Sequence, residues 1–194
     1  MEEYGNFSLE ELLRHEDDRT AWYWIGMAYW ERADFINAAK WLERTMNDVG
    51  NEWADKATFN LGIAHLGLLP NASRDKALSL FEKISGGVMS KLYAGFLYYE
   101  GTETKRDLDR GRKLIEEAIS QLIDKCGDDS YLAPDEYFKI ARMYANEGNH
   151  KKAIEYLTKT KGKCNPSYSS ERDLIERAEE GIMEELEKLG KENI

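Results

Sequence analysis

The sequence predicts an all-α chain: four antiparallel helical hairpins in series, with a short helix before them and a longer one after. Three observations carry this reading. Apolar residues recur at i, i+3, i+4 and i+7 along the 194 residues, the period of helices that each bury one face. The pattern breaks at polar or glycine-containing turns, and Pro70, Pro134 and Pro166 all lie between periodic segments, where a missing backbone donor does no harm. A small residue also returns at one place in the first helix of each pair, at Gly26, Gly62, Gly95 and Ala141, and lets a second helix approach closely.

The elements follow in order. Ser8 and Glu11 form a capping box, with Phe7 and Leu12 placed as its hydrophobic staple. This starts a short helix from Leu9 to about Glu16 with Leu9, Leu12 and Leu13 on one side. The first hairpin sets Trp22, Ile25, Gly26 and Tyr29 against Ala38, Leu42 and Thr45. The second sets Leu61, Gly62 and His65 against Ala77, Phe81 and Ile84. In the third, Ala94, Gly95 and Tyr98 meet Gly111, Ile115 and Ala118, on a helix running through Leu122 and Ile123 to Gly127. In the fourth, Ile140, Ala141 and Tyr144 meet Ala153, Leu157 and Thr160. The small residue lies 12 positions from its partner between 26 and 38, 15 between 62 and 77, 16 between 95 and 111, and 12 between 141 and 153. The middle two hairpins therefore have longer turns. Ser170 is placed as an N-cap with Asp173 three residues on. It opens a helix whose stripe is Leu174, Ile175, Ala178, Ile182, Leu186 and Leu189. The expected organisation is one domain over 1–194: a leading helix in 1–18, hairpins in 19–162, and a closing helix in 169–190.

The first and fourth hairpins resemble tetratricopeptide (TPR) repeats. Trp22, Ile25-Gly26, Tyr29, Ala38, Leu42 and Thr45 keep that family's spacing without a gap. So do Tyr137, Ile140-Ala141, Tyr144, Ala153, Leu157 and Thr160, with Gly148-Asn149 in the turn. The second and third are similar to the related Sel-like repeats, through Leu61-Gly62, Gly67 and Asp75-Lys76-Ala77, and through Gly95, Tyr98, Gly101 and Asp109-Arg110-Gly111. The resemblance covers roughly 19–162. Four units in register are a far stronger signal than one. It implies an α-solenoid wound as a right-handed superhelix and a role in binding other proteins. The Lys and Asn clamp that some members use on a peptide's terminal carboxylate is missing, since its places hold Tyr23, Met27, Phe59, Ile63, Leu92 and Phe96.

Composition agrees. Hydrophobic residues make up 42% and charged residues 33%, which supports a folded core. A net charge of -10 repels phosphate backbones and anionic lipid surfaces, so nucleic acid and membranes are not expected partners. Cys126 and Cys164 form no Cys-x-x-Cys pair and read as free thiols of a reducing compartment. Met1 to Ser8 is acidic and lacks the apolar core of a secretory leader. A cytoplasmic location is the expectation.

No catalytic, cofactor or metal constellation emerges. His15, His65 and His150 are isolated in sequence. His65 stands in the Tyr place of its repeat and is expected in the core, whereas His150 lies in a turn and is expected in solvent. Ser85-Gly86-Gly87 lacks the lysine of a phosphate loop. The chain is expected not to be an enzyme and to need no cofactor.

The candidate surface is a second stripe on the first helices, one residue beyond the hairpin stripe and about 100° around. It reads Tyr23, Met27 and Trp30; Phe59, Ile63 and Leu66; Leu92, Phe96 and Tyr99; then Phe138 and Arg142 with Ala145. The TPR resemblance implies that this face lines a concave groove that holds a partner. An aromatic groove suits an apolar anchor from a peptide, helix or domain. Two readings of the stripe stand at this point: an open groove, or a core covered by the next hairpin or the closing helix. Two other functions also stand. One is an inhibitor or immunity-type antidote whose acidic surface masks a basic partner. The other is a self-associating subunit, such as a homodimer, that buries the stripe between copies.

Overall fold

The computed structural model describes residues 4–192, with side chains to 191. Helix makes up 69% of it. Ten helices appear among the described residues: α1 (Leu9–Leu13), α2 (Trp22–Glu31), α3 (Phe35–Met46), α4 (Ala54–Ala64), α5 (Arg74–Lys83), α6 (Val88–Glu100), α7 (Leu108–Cys126), α8 (Pro134–Asn146), α9 (His150–Lys163) and α10 (Ser169–Glu192). From α1 to α6 and again from α8 to α10, successive helices pack on one another as the hairpins of an α-solenoid. Two compact units result, one up to Leu114 and one from Ile115 onward, with the division inside α7.

In the first unit the hairpin α2–α3 is antiparallel. The Arg44 guanidinium lies 3.8 Å from the Trp22 ring centroid at one end, and Trp30 meets Phe35 edge-on at 5.2 Å at the other. Between them Gly26 faces Leu42, and an added Cβ would stand 3.1 Å from the leucine side chain. In α4–α5 the Phe81 ring fills the space that a side chain at Gly62 would occupy. In α6–α7 the backbones themselves meet at Gly95, Tyr99 and Gly111. The small residues therefore stand at the crossings, as their recurrence implies. The interior holds Leu12, Ile25, Leu42, Leu61, Leu78, Phe81 and Leu92, each no more than 2% exposed.

The capping box at Ser8 is present: the Ser8 amide donates to Glu11 Oε2 at 2.8 Å, and the Glu11 amide to Ser8 Oγ at 3.3 Å. Its helix stops at Leu13, short of Glu16. Thr102 and Glu103 tie the long α6–α7 turn to the start of α5. The Glu103 carboxylate accepts from the Arg74 and Asp75 amides at 2.8 and 2.7 Å, and the Thr102 hydroxyl donates to Asp75. The free amides of a helix N-terminus favour such a carboxylate.

In the second unit α8 and α9 form a hairpin, and α10 runs back along α9. Tyr144 stacks on Tyr156 at 5.7 Å, Gly181 faces Leu157, and Lys161 pairs with Glu179 at 2.6 Å. The Tyr137 hydroxyl donates to the Asp129 carbonyl oxygen at 2.6 Å in the interior. Burial, and then the Asp129 carboxylate, push that phenol far above its ordinary value, so it stays a donor. The closing helix begins at Ser169, which places Ser170 inside its first turn rather than at the cap.

The turns of the first and fourth hairpins differ at one equivalent position. Gly148 takes a left-handed φ of +73°, and Ala33 takes +57°. A Cβ strains this conformation. Ala33→Gly is expected to stabilise the chain by up to about 1 kcal/mol, the relief of strain being partly offset by a more flexible unfolded chain. Gly148→Ala is expected to cost about 1 kcal/mol. Urea midpoints of the two variants check the opposite signs.

Candidate protein-binding surface

The second stripe does not form one open face. On α2, Tyr23 is 8% exposed and stacks on Trp53 with centroids 5.0 Å apart, while Met27 and Trp30 are half-buried. On α4, Phe59 and Ile63 are half-buried, and Leu66, just past the helix end, is exposed. On α6 the expectation of a groove lining is corrected. Leu92 is fully buried, Phe96 is 4% exposed with its ring 6.1 Å from Tyr93, and only Tyr99 keeps partial exposure. Leu92 and Phe96 serve the interior, because dehydrating large apolar side chains stabilises the fold more than displaying them would.

The first unit holds a concavity of about 600 Å³ between α2, α4 and the start of α6. Tyr23 and Phe59 line it, with Lys56 and Asn60 of α4, the Ile84–Gly87 link, and Val88 and Met89 at the start of α6. The Asn60 amide donates to the Tyr23 hydroxyl at 3.3 Å and reaches Met27 Sδ at 3.1 Å, which fixes its orientation at the wall. Burial raises the Tyr23 phenol, and the Asn60 hydrogen bond opposes that only in part. The Lys56 ammonium lies 4.3 Å from the Trp53 ring centroid, placing a cation at the rim. The walls are mainly apolar, with a few fixed polar groups. Such a depression suits one inserted side chain and the backbone on either side of it.

Tyr23 and Phe59 of the stripe both line this concavity, beside Asn60, Val88 and Met89, which the stripe does not contain. The last two sit before the stripe of α6 begins and carry no periodic signal. The glycines at 86 and 87, which let the chain turn into α6, were the available hint.

In the second unit Phe138, Ala141, Arg142 and Ala145 line a cleft of about 340 Å³ with Leu157, Arg177, Glu180, Gly181, Glu184, Glu185 and Lys188. The α8 stripe is thus faced by α10. The Arg177 guanidinium stands 4.6 Å from the Phe138 ring centroid, a favourable cation–π distance. Arg142 remains exposed. His150 corrects a further expectation. It is the first residue of α9, its side chain is only 11% exposed, and Nδ1 lies 2.6 Å from Glu185 Oε2. Lys188 holds the other carboxylate oxygen at 2.6 Å. His65, by contrast, is 6% exposed, as its repeat position implies.

Glu185 links α10 to α9 and gives the unit a pH dependence. Burial alone would raise its carboxyl, but the hydrogen bonds from Lys188 and His150 outweigh burial and hold it below its ordinary 4.5. A depressed carboxyl stabilises the fold at pH values above the unfolded value, and that stability is lost as pH falls through the folded one. Between neutral pH and acid the wild type is therefore expected to lose stability below about 4.5 more steeply than Glu185→Gln. Urea midpoints across that range check it.

Among the described residues, no group of three or more His, Cys, Asp or Glu side chains is arranged to hold a metal ion. None of their helices is long and apolar enough to cross a membrane.

Residues 137–159 match the family model of the tetratricopeptide repeat. The chain carries a tetratricopeptide repeat. The match spans α8 and α9, the hairpin whose Tyr137, Ile140-Ala141, Tyr144, Ala153 and Leu157 keep the repeat spacing. No curated protein matches the chain. A tetratricopeptide repeat points to protein–protein interaction in general, and proteins built from it are typically scaffolds rather than enzymes.

Proposed function

We infer that this tetratricopeptide-repeat chain is a non-enzymatic adaptor that captures a segment of another protein, seating one apolar side chain in the α2–α4–α6 concavity. The observation that carries the reading is the wall itself: half-buried Phe59, Val88 and Met89 stand beside Tyr23 and an Asn60 side chain held in place by the Tyr23 hydroxyl. Exposed apolar patches of this kind mark interaction sites. Free Cys126 and Cys164 and the acidic composition support a reducing, cytoplasmic setting. Tyr23 and Phe59 are the stripe residues that line this surface, while Phe138 and Arg142 line the cleft against α10.

The test is binding of a partner captured from the host lysate and then measured in purified form by calorimetry. Met89→Asp is the informative variant because Met89 is half-buried at the helix start, whereas Phe96→Asp would bury a charge. Met89→Asp is expected to weaken binding at least about tenfold, or about 1.4 kcal/mol, with an unchanged circular dichroism spectrum. Full affinity in this variant would place the binding surface elsewhere. Binding of a second copy of the chain, seen by light scattering, would turn the reading into self-association.

A further inference from the structure

Among the helices of the second unit, α10 is the most thinly held. It runs for 24 residues, yet of its described side chains only Ala178 and Glu185 are buried. Its apolar stripe is incompletely covered: Leu174, Ile175, Ile182 and Leu189 are half-buried, while Leu186 is 47% and Met183 61% exposed. By contrast, α8 buries Tyr137, Ile140, Met143 and Tyr144, and α9 buries Tyr156 and Leu157. Dehydrated apolar area is the main force that keeps a helix in place, so α10 loses the least by leaving. Gly181 and Gly190 lower its own helix preference as well.

The specific ties of α10 to α9 are polar. The Lys161–Glu179 pair is half-exposed on both sides, and such pairs add little. The His150–Glu185 contact is the buried one, with side chains 11% and 4% exposed, and Lys188 completes it from α10 itself. A buried pair adds little net stability when whole, but removing one member is strongly unfavourable. The seat of α10 therefore depends on one carboxylate. What α10 covers is the α8 stripe. Phe138 stands in the repeat place of Tyr23 and Phe59, and the Arg177 guanidinium lies over its ring. The cover is partial, because the cleft of about 340 Å³ remains between α8 and α10, with Leu157 of α9 in its lining.

We propose that α10 is a displaceable, autoinhibitory occupant of the α8–α9 face, and that this face takes an amphipathic helix of another protein in its place. The chemistry that such a helix needs is the chemistry of α10. It carries a small residue in the place of Ala178, another where Gly181 passes Leu157, and a carboxylate for His150 in the place of Glu185. These places are three and seven residues apart from the first, on one face of a helix, the spacing by which a groove reads an inserted helix. The face belongs to the second unit and does not rest on the concavity of the first.

Hydrogen exchange of the full wild-type chain tests whether α10 opens by itself. Its amides are expected to exchange together, at least about a hundredfold faster than the buried amides of α8 and α9. One common opening for all three helices would overturn the proposal. Occupancy is then tested with a labelled synthetic peptide of the α10 sequence, Ser169–Glu192, added to the full chain. In the wild type the tethered helix competes at an effective concentration on the order of millimolar, so the peptide binds weakly. Glu185→Ala in the chain removes the tethered helix's hold on His150 and is expected to tighten peptide binding at least about tenfold. The same peptide carrying Glu185→Ala is expected to bind no better than before. Unchanged binding of the unaltered peptide, or an equal gain by both peptides, would overturn the proposal. A wild-type dimer that the peptide dissociates would overturn it in favour of a second copy of the chain. The exchange measurement needs no variant, so it decides even where Glu185→Ala loosens more than α10.

Discussion

Gly111→Ala is expected to destabilise the chain by about 3 kcal/mol or more, enough to leave a marginal domain partly unfolded at physiological temperature. A methyl group on Gly111 would stand 2.5 Å from the Tyr99 amide nitrogen, 2.8 Å from Tyr99 Cα and 2.8 Å from the Gly95 carbonyl oxygen. All three are backbone atoms of α6, so no rotamer change relieves the clash; the helices themselves must separate. Their separation would also loosen the contacts between Arg110 and Glu82 at 2.8 Å and between Tyr98 and Glu82 at 2.7 Å. Gly162 is the matched control. It is helical, with nothing near an added Cβ, so Gly162→Ala is expected to stabilise by about 0.5–1 kcal/mol through the unfolded chain. Opposite shifts in the thermal midpoint distinguish a crossing glycine from an idle one. Equal shifts would mean that α6 and α7 do not touch at this point.

Phe81→Ala is expected to cost about 3–5 kcal/mol. The ring is 2% exposed and lies 5.5 Å from both the Phe59 and Tyr93 rings, centroid to centroid. It also occupies the space over Gly62, where a Cβ would come within 2.6 Å of Cε1. The pair is therefore coupled. Gly62→Ala alone drives the ring out of a close-packed site and is expected to cost about 1–3 kcal/mol. Combined with Phe81→Leu, which vacates the ring's far edge, it is expected to cost less than the sum of the two single changes, by about 1 kcal/mol. Chemical denaturation of the four members of the cycle measures this. Strict additivity would show that Gly62 is small for some reason other than the Phe81 ring. Because Phe59 supports one wall of the apolar concavity, Phe81→Ala is also expected to weaken partner binding.

The hairpins were legible in the sequence because helix crossings demand small residues at fixed places. Gly26, Gly62 and Gly111 each face a side chain or backbone that leaves no room for more. The cap at Ser8 was legible for the same local reason, whereas the helix expected to open after Ser170 begins at Ser169. Exposure was not legible. A stripe one residue on has the same period whether it faces solvent or another helix, so Leu92 and Phe96 looked like Phe59. Long-range partners were also beyond reach: nothing near His150 announces Glu185, 35 residues later. The apolar concavity was half legible. Tyr23 and Phe59 belong to the stripe, whereas Val88 and Met89 enter through the turn that Gly86 and Gly87 permit.

The most direct measurement of the central claim is site-specific photo-cross-linking in living host cells, with Met89 replaced by benzoylphenylalanine and, as a reference, the exposed Glu155 of α9 replaced in the same way. The account predicts a covalent adduct with a second protein from position 89 and none from position 155. An adduct from position 155 with none from position 89 would contradict it.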